Sequence, residues 1–153
     1  MELELPRDFK ELFEYLNANR VEYLLLGGYA VIAYGYVRNT SDIDVVVGAG
    51  IENAQRLMKA LANFGFGETE LRPELFTAPD SLVRMGREPI KIEILNYLKG
   101  ADFEDAYSRR NTVQVEDVSV DIISLSDLLA NKRAVARPKD LVDANELEKR
   151  NPA

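Results

Sequence analysis

The sequence predicts an α/β (α+β) domain, a central β-sheet flanked by helices, and three observations predict it. Short apolar runs rich in β-branched residues, with the length and period of strands, occur at residues 21–26, 42–47, 90–95 and 113–123. Between them, residues 8–16 and 52–64 carry apolar side chains at spacings of three and four, which places one buried face on a helix. Glycine and proline fall at the borders between the two kinds of segment, where they end one element and start the next.

Taken in order, Pro6 and Asp8 open a helix whose Phe9, Leu12, Phe13 and Leu16 share a face. This is a packing helix, ended by Asn17-Ala18-Asn19. Residues 21–26 form a first strand, apolar enough to be central. A Gly27-Gly28 turn follows, then a short helix starting near Tyr29 and closed by Gly35. Residues 36–41 are a polar approach to the strand 42–47, which Gly48 and Gly50 break. The helix 52–64 turns Ala54, Leu57, Met58, Leu61 and Phe64 inward and stops at Gly65. Residues 65–79 read as a loop, with Pro73 and Pro79 in it. A strand at 81–86 turns at Gly86-Arg87-Glu88-Pro89 into 90–95, where Ile90, Ile92 and Ile94 face the core. Residues 113–123 read as a hairpin turning near Glu116-Asp117. Ser124-x-x-Asp127 starts a helix with Leu125, Leu128, Leu129, Lys132 and Val135. Pro138 suits the first turn of the last helix, which carries Leu141 and Leu147 and frays at residues 151–153.

Length and composition set the limits. At 153 residues the chain reads as a single domain, residues 1–153, able to bury a core. No run approaches the ~20 apolar residues of a membrane span. Zero cysteines exclude disulfides and thiolate chemistry, and zero histidines remove the commonest general base, so any bound metal must use oxygen. A cytoplasmic location and no membrane association are expected. The net charge of −7 argues against a general DNA or RNA binder, although Arg84, Arg87, Lys91, Arg109, Arg110, Lys132, Arg133, Arg137 and Lys139 remain available for a local groove.

The chemistry concentrates between residues 24 and 47. Alternation along the second strand puts Asp42 and Asp44 on one face about 7 Å apart, given a rise of ~3.3 Å per residue. Two such carboxylates repel unless a cation lies between them. Magnesium takes oxygen ligands, commonly one or two carboxylates plus substrate phosphates. Gly27 and Gly28, lacking Cβ, let backbone N–H groups approach a ligand, and the helix after them directs its positive end at a phosphate. A glycine turn for phosphates facing two acids for metal outlines a nucleotidyl-transfer site.

This pattern of apolar strand, Gly27-Gly28, then Asp42-Ile43-Asp44, resembles the nucleotidyltransferase superfamily. Gly27-Gly28-x-Ala30, Tyr34-Gly35 and Arg38-x-Thr40-x-Asp42-Ile43-Asp44 look like its small stand-alone members, similar to the toxin component of abortive-infection toxin–antitoxin pairs. Lys132 and Arg137-Pro138-Lys139-Asp140-Leu141-x-Asp143 fit the same group. The resemblance spans residues 21–147. It implies a nucleotidyltransferase fold with a mixed sheet, magnesium (two ions), an NTP donor, a hydroxyl acceptor on tRNA, protein or a small molecule, and a cognate antitoxin as partner. It also implies a third carboxylate from a strand beside Asp42-x-Asp44. Glu93 is the candidate, in place of the more frequent aspartate, with Asp121 as its rival.

Catalysis and metal binding are thus expected of Asp42, Asp44 and Glu93, and nucleotide binding of Gly27, Gly28, Arg38, Thr40 and Lys132. Arg38 reads two ways, reaching phosphates or neutralising Asp42 and Asp44. Thr40 binds nucleotide or only shapes its turn. Lys132 shares a side with the apolar stripe of its helix, so it contacts nucleotide phosphate or pairs with Asp140 or Asp143. Two other readings stand beside transfer. Asp42-x-Asp44-x-Val46 loosely matches the first motif of haloacid-dehalogenase-type phosphatases, but leaves Gly27-Gly28 unexplained. The other is a non-catalytic nucleotide-binding or partner-binding module that keeps the fold.

Overall fold

The computed structural model describes residues 1–67 and 71–152. Its central strands are short and apolar because both of their faces are covered. These are β1 (Tyr23–Leu26), wholly buried, and β2 (Ile43–Val47), where only Asp44 is partly exposed. Between them lies α2 (Gly27–Ala33), which begins at Gly27 itself rather than near Tyr29. Before them, α1 (Arg7–Ala18) buries Phe9, Leu12, Phe13 and Leu16, the face its spacing predicts.

After β2, α3 (Ile51–Phe64) packs against α1. It buries Asn53 as well as Ala54, Leu57 and Leu61. Asn53 clamps the ends of β1 and β2: its Nδ2 donates to the carbonyls of Glu22 and Gly48, and its Oδ1 accepts from the Glu22 N–H. The stretch expected to be a loop contains a short helix, α4 (Glu74–Thr77), which buries Phe76. Part of that loop, residues 68–70, lies outside the described residues, as does Ala153 in the fraying terminus.

The hairpin of β3 (Leu82–Arg87) and β4 (Ile90–Leu95) turns at Glu88-Pro89, so Gly86 belongs to the strand. Then come α5 (Phe103–Ser108) and a second hairpin, β5 (Asn111–Val115) with β6 (Val118–Ile122). The chain closes with α6 (Leu125–Val135) and α7 (Pro138–Arg150), packed on each other.

The six strands form one mixed sheet in the order β3-β4-β2-β1-β6-β5. β2 pairs parallel with β4 and antiparallel with β1, while β1 pairs parallel with β6. The buried apolar residues form one connected cluster along this sheet and the helices on it.

Candidate active site

β2 and β4 run side by side with Asp44 opposite Glu93, so both side chains leave the same face of the sheet. On the other side of β2, Asp44 is paired with Leu26, the residue before the Gly27 corner. Gly27 has φ of 69°, and a Cβ on it would lie 2.1 Å from Asp44 Oδ2. A Cβ on Gly28 would lie 2.3 Å from Thr40 Oγ1 and 3.3 Å from Arg38 Nη1. The paired glycines therefore clear the space that Asp44, Thr40 and Arg38 occupy over the corner. Gly27→Ala should cost about 1–3 kcal/mol for its backbone alone. It should also push the Asp44 carboxylate aside. A melting temperature about 5 °C lower, with activity reduced further than stability explains, is the expected result.

Asp44 Oδ1 is buried and has no hydrogen-bond partner. Burial, then the hydrogen bond and like charge of Glu93, then the charge of Asp42, push the Asp44 carboxyl up to about 8. Glu93 moves the other way. Burial raises it, but the bond from the Asp44 carboxyl and the Arg84 guanidinium outweigh burial and hold it below the usual carboxylate range. The two carboxylates are therefore pushed in opposite directions, Asp44 up and Glu93 down. Arg84 stands opposite Glu93 across the β3–β4 hairpin, its Nε 2.6 Å from Glu93 Oε1.

Asp42 lies just before β2 and accepts a bond from Ser41 Oγ at 3.2 Å. It lines a cleft with Lys91, Arg84 and Glu93 that adjoins the one holding Asp44. Arg38 neutralises neither Asp42 nor Asp44. Its Nε and Nη2 donate to the two oxygens of Asp143 at 2.8 and 2.9 Å. Lys132 is 5 % exposed, with Nζ 3.2 Å from Asp140 Oδ1 and 3.0 Å from Asp143 Oδ2. Burial raises Asp140 and Asp143, but hydrogen bonds from Arg137 and Lys132 to Asp140, and from Arg38 and Lys132 to Asp143, hold both low. Asp121 is on β6, beyond β1 from β2, and its carboxylate accepts from Thr112 Oγ1 at 3.0 Å and faces Arg110 at 3.5 Å.

Asp44 and Glu93 form part of the wall of a cleft of about 290 Å³, with Arg84, Lys99, Lys132 and Arg137 around it. Of these cations the sequence pointed to Lys132 as a ligand contact. Arg84 carried a readable signal, since a hairpin turning at Glu88-Pro89 must pair it with Glu93. Of the other basic residues, Lys91, Arg109, Arg110 and Arg133 face Glu88, Asp127, Asp121 and Glu148 respectively.

Among the described residues, no three acids are gathered at ligand spacing. The pair Asp44 and Glu93 nevertheless fits a hard divalent ion. The donor set is all oxygen, and one of its oxygens is buried and unpartnered. Magnesium bound by two carboxylates and substrate phosphates asks for no more.

The chain matches the model of the aminoglycoside-2''-adenylyltransferase family over residues 8–147. Among curated proteins no sequence matches it. Among solved structures it is similar to a lincosamide antibiotic adenylyltransferase bound to lincomycin, at 16% identity and a TM-score of 0.65, covering 98% of this chain and 100% of that one. It is also similar to a protein from Thermotoga maritima described as a nucleotidyltransferase, at 17% identity and a TM-score of 0.61, covering 95% and 94%. A nucleotidyltransferase-like antigen from Paracoccidioides brasiliensis aligns at 16% identity and a TM-score of 0.54, covering 92% and 73%. These likenesses show the fold, and the family match leaves no place for a haloacid-dehalogenase-type phosphatase. With an Asp-x-Asp strand beside Glu93, a glycine corner and a family match along nearly its whole length, the chain belongs to the aminoglycoside-2''-adenylyltransferase family and is a nucleotidyltransferase.

Proposed function

We propose that the chain, acting as one domain, moves a nucleoside monophosphate from an NTP to a hydroxyl of a small-molecule acceptor, with magnesium held by Asp44 and Glu93 and with Asp42 beside them. The observation that carries this is the buried, unpartnered Asp44 Oδ1 next to Glu93 in a cation-ringed cleft. Bound magnesium, two ions where Asp42 joins, supplies charge neutralisation at the α-phosphate and leaving pyrophosphate. As a magnesium ligand Asp44 would be deprotonated. The acceptor oxygen bonds to the α-phosphorus, the bond to pyrophosphate breaks, and the hydroxyl proton passes to Glu93 or Asp44, the two carboxylates that meet at the site. Thr40 and Arg38, packed over Gly28, and Lys132 beside Asp44 are proposed to face the nucleotide.

The family match favours a small polyhydroxylated acceptor over tRNA or protein. The toxin role and the cognate antitoxin rest on the sequence resemblance alone. The non-catalytic alternative gains nothing from the structure, since all three acids are kept and two of them meet. The test is transfer of label from each α-labelled NTP in magnesium to aminoglycoside, lincosamide, RNA and protein acceptors. Label on a small molecule, lost with Asp42→Asn, is expected; no label on any acceptor with any NTP would remove the reading.

A further inference from the structure

Four cations line the cleft over Asp44 and Glu93, and three of them already face acids. Arg84 is bonded to Glu93, Lys132 lies between Asp140 and Asp143, and Arg137 puts Nε and Nη2 on Asp140 at 2.7 and 3.2 Å. Lys99 has no acid within ion-pair distance among the described residues. On a chain of net charge −7, an unspent, exposed cation lining a cleft is a place for an anion.

The backbone that carries Lys99 is built to hold still. At the start of its loop, buried Asn96 donates to the carbonyls of Phe76 and Ala78 and accepts from the Ser81 N–H. At the other end, buried Asn131 on α6 donates to the Lys99 carbonyl at 3.0 Å. Gly100 follows with φ of 89°, pressed so close to α6 that a Cβ would lie 2.6 Å from the Ala130 carbonyl oxygen. Both ends are therefore fixed, one to the α4–β3 segment and one to α6. The lysine side chain is left exposed at the cleft.

We propose that Lys99 contacts the polyphosphate chain of the nucleotide donor, with Asn131 and Gly100 positioning it. This rests on the transferase reading above, and names the cation that grips the donor at a distance from the reacting atoms. Lys132 is less available for that task, because its charge is shared by two buried carboxylates. A contact made equally before and during transfer affects binding more than turnover.

Titration calorimetry in magnesium, with a hydrolysis-resistant ATP analogue, inorganic tripolyphosphate and adenosine as separate probes, tests this. Lys99→Ala should weaken the analogue and tripolyphosphate about tenfold, the loss of one charge-assisted hydrogen bond. Lys99→Glu should weaken them further, Lys99→Arg should restore binding, and adenosine should be unaffected. The difference should shrink at high salt, as an exposed ionic contact requires. The melting temperature of each variant without ligand should match the parent, since Lys99 supports no buried partner. Unchanged polyphosphate binding in Lys99→Ala, with the parent binding well, overturns the assignment and leaves the transferase reading intact. A parent that binds tripolyphosphate through Lys99 but no nucleotide keeps the anion site and sinks the transferase reading. A parent that binds neither overturns both.

Discussion

Asp44→Asn is expected to lower nucleotidyl transfer by about a thousandfold or more, the several kcal/mol that a metal-bound carboxylate contributes to the transition state. The same change should stabilise the ligand-free protein at pH 8. The sign follows from the raised carboxyl. Folded Asp44 holds its proton up to about 8, whereas an unfolded aspartate loses it near 3.8. Between those values the folded state binds more protons, so its stability falls as pH rises. Removing the acid removes that slope. Thermal melts from pH 5 to 8.5 should therefore diverge, the parent declining against Asp44→Asn by several degrees at the alkaline end. Added magnesium should raise the parent's melting temperature and leave the variant where it is. A variant that melts lower than the parent at pH 8, or keeps its activity, would show that Asp44 is an ordinary strand residue.

The second large effect is on stability. Lys132→Met strips the central cation from two carboxylates that are each 1 % exposed. Arg137 and Arg38 remain, one for each carboxylate, but Asp140 and Asp143 are left close together without the charge between them. Breaking a buried ion-pair network typically costs about 3–5 kcal/mol. For a domain of this size the melting temperature should drop by about 10 °C. In a double-mutant cycle with Asp143→Asn the losses should be strongly non-additive, because both changes break the same contact. The cluster also sets an acid limit. Asp140 and Asp143 have folded pKa values below their unfolded ones, so their contribution is complete above the ordinary carboxylate range and lost as pH falls through the lowered values. Differential scanning calorimetry would read both effects. A Lys132→Met protein melting within a degree of the parent would mean that the network holds nothing together.

Much of this was readable because it depends on local period. The alternation at Ile90, Ile92 and Ile94 put Glu93 on the polar face before its neighbours were known, and the apolar runs located both central strands. What depends on register was less accessible. Reading the turn as Gly86-Arg87-Glu88-Pro89 misses the pairing of Arg84 with Glu93, which follows only when the turn is centred on Glu88-Pro89. Contacts across the whole chain left no trace in spacing. Arg38 reads equally well as a phosphate ligand or a partner for Asp42, and the choice of Asp143 is made by α7 docking beside the corner. Lys99 is a single lysine after a strand, with no periodicity to mark it. The helix α4 hides between Pro73 and Pro79, where punctuation suggests loop, because burial of Phe76 supplies what local propensity does not.

The bond between Arg38 and Asp143 spans 105 residues of sequence. Synthesis makes the glycine corner and the Asp-x-Asp strand first, and the residue that fastens their connecting loop follows 105 residues after Arg38. A nascent chain that has been made as far as Glu93 therefore holds Asp42, Asp44 and Glu93 without that tie. The corner should be firmly held only once α7 has been made and docks.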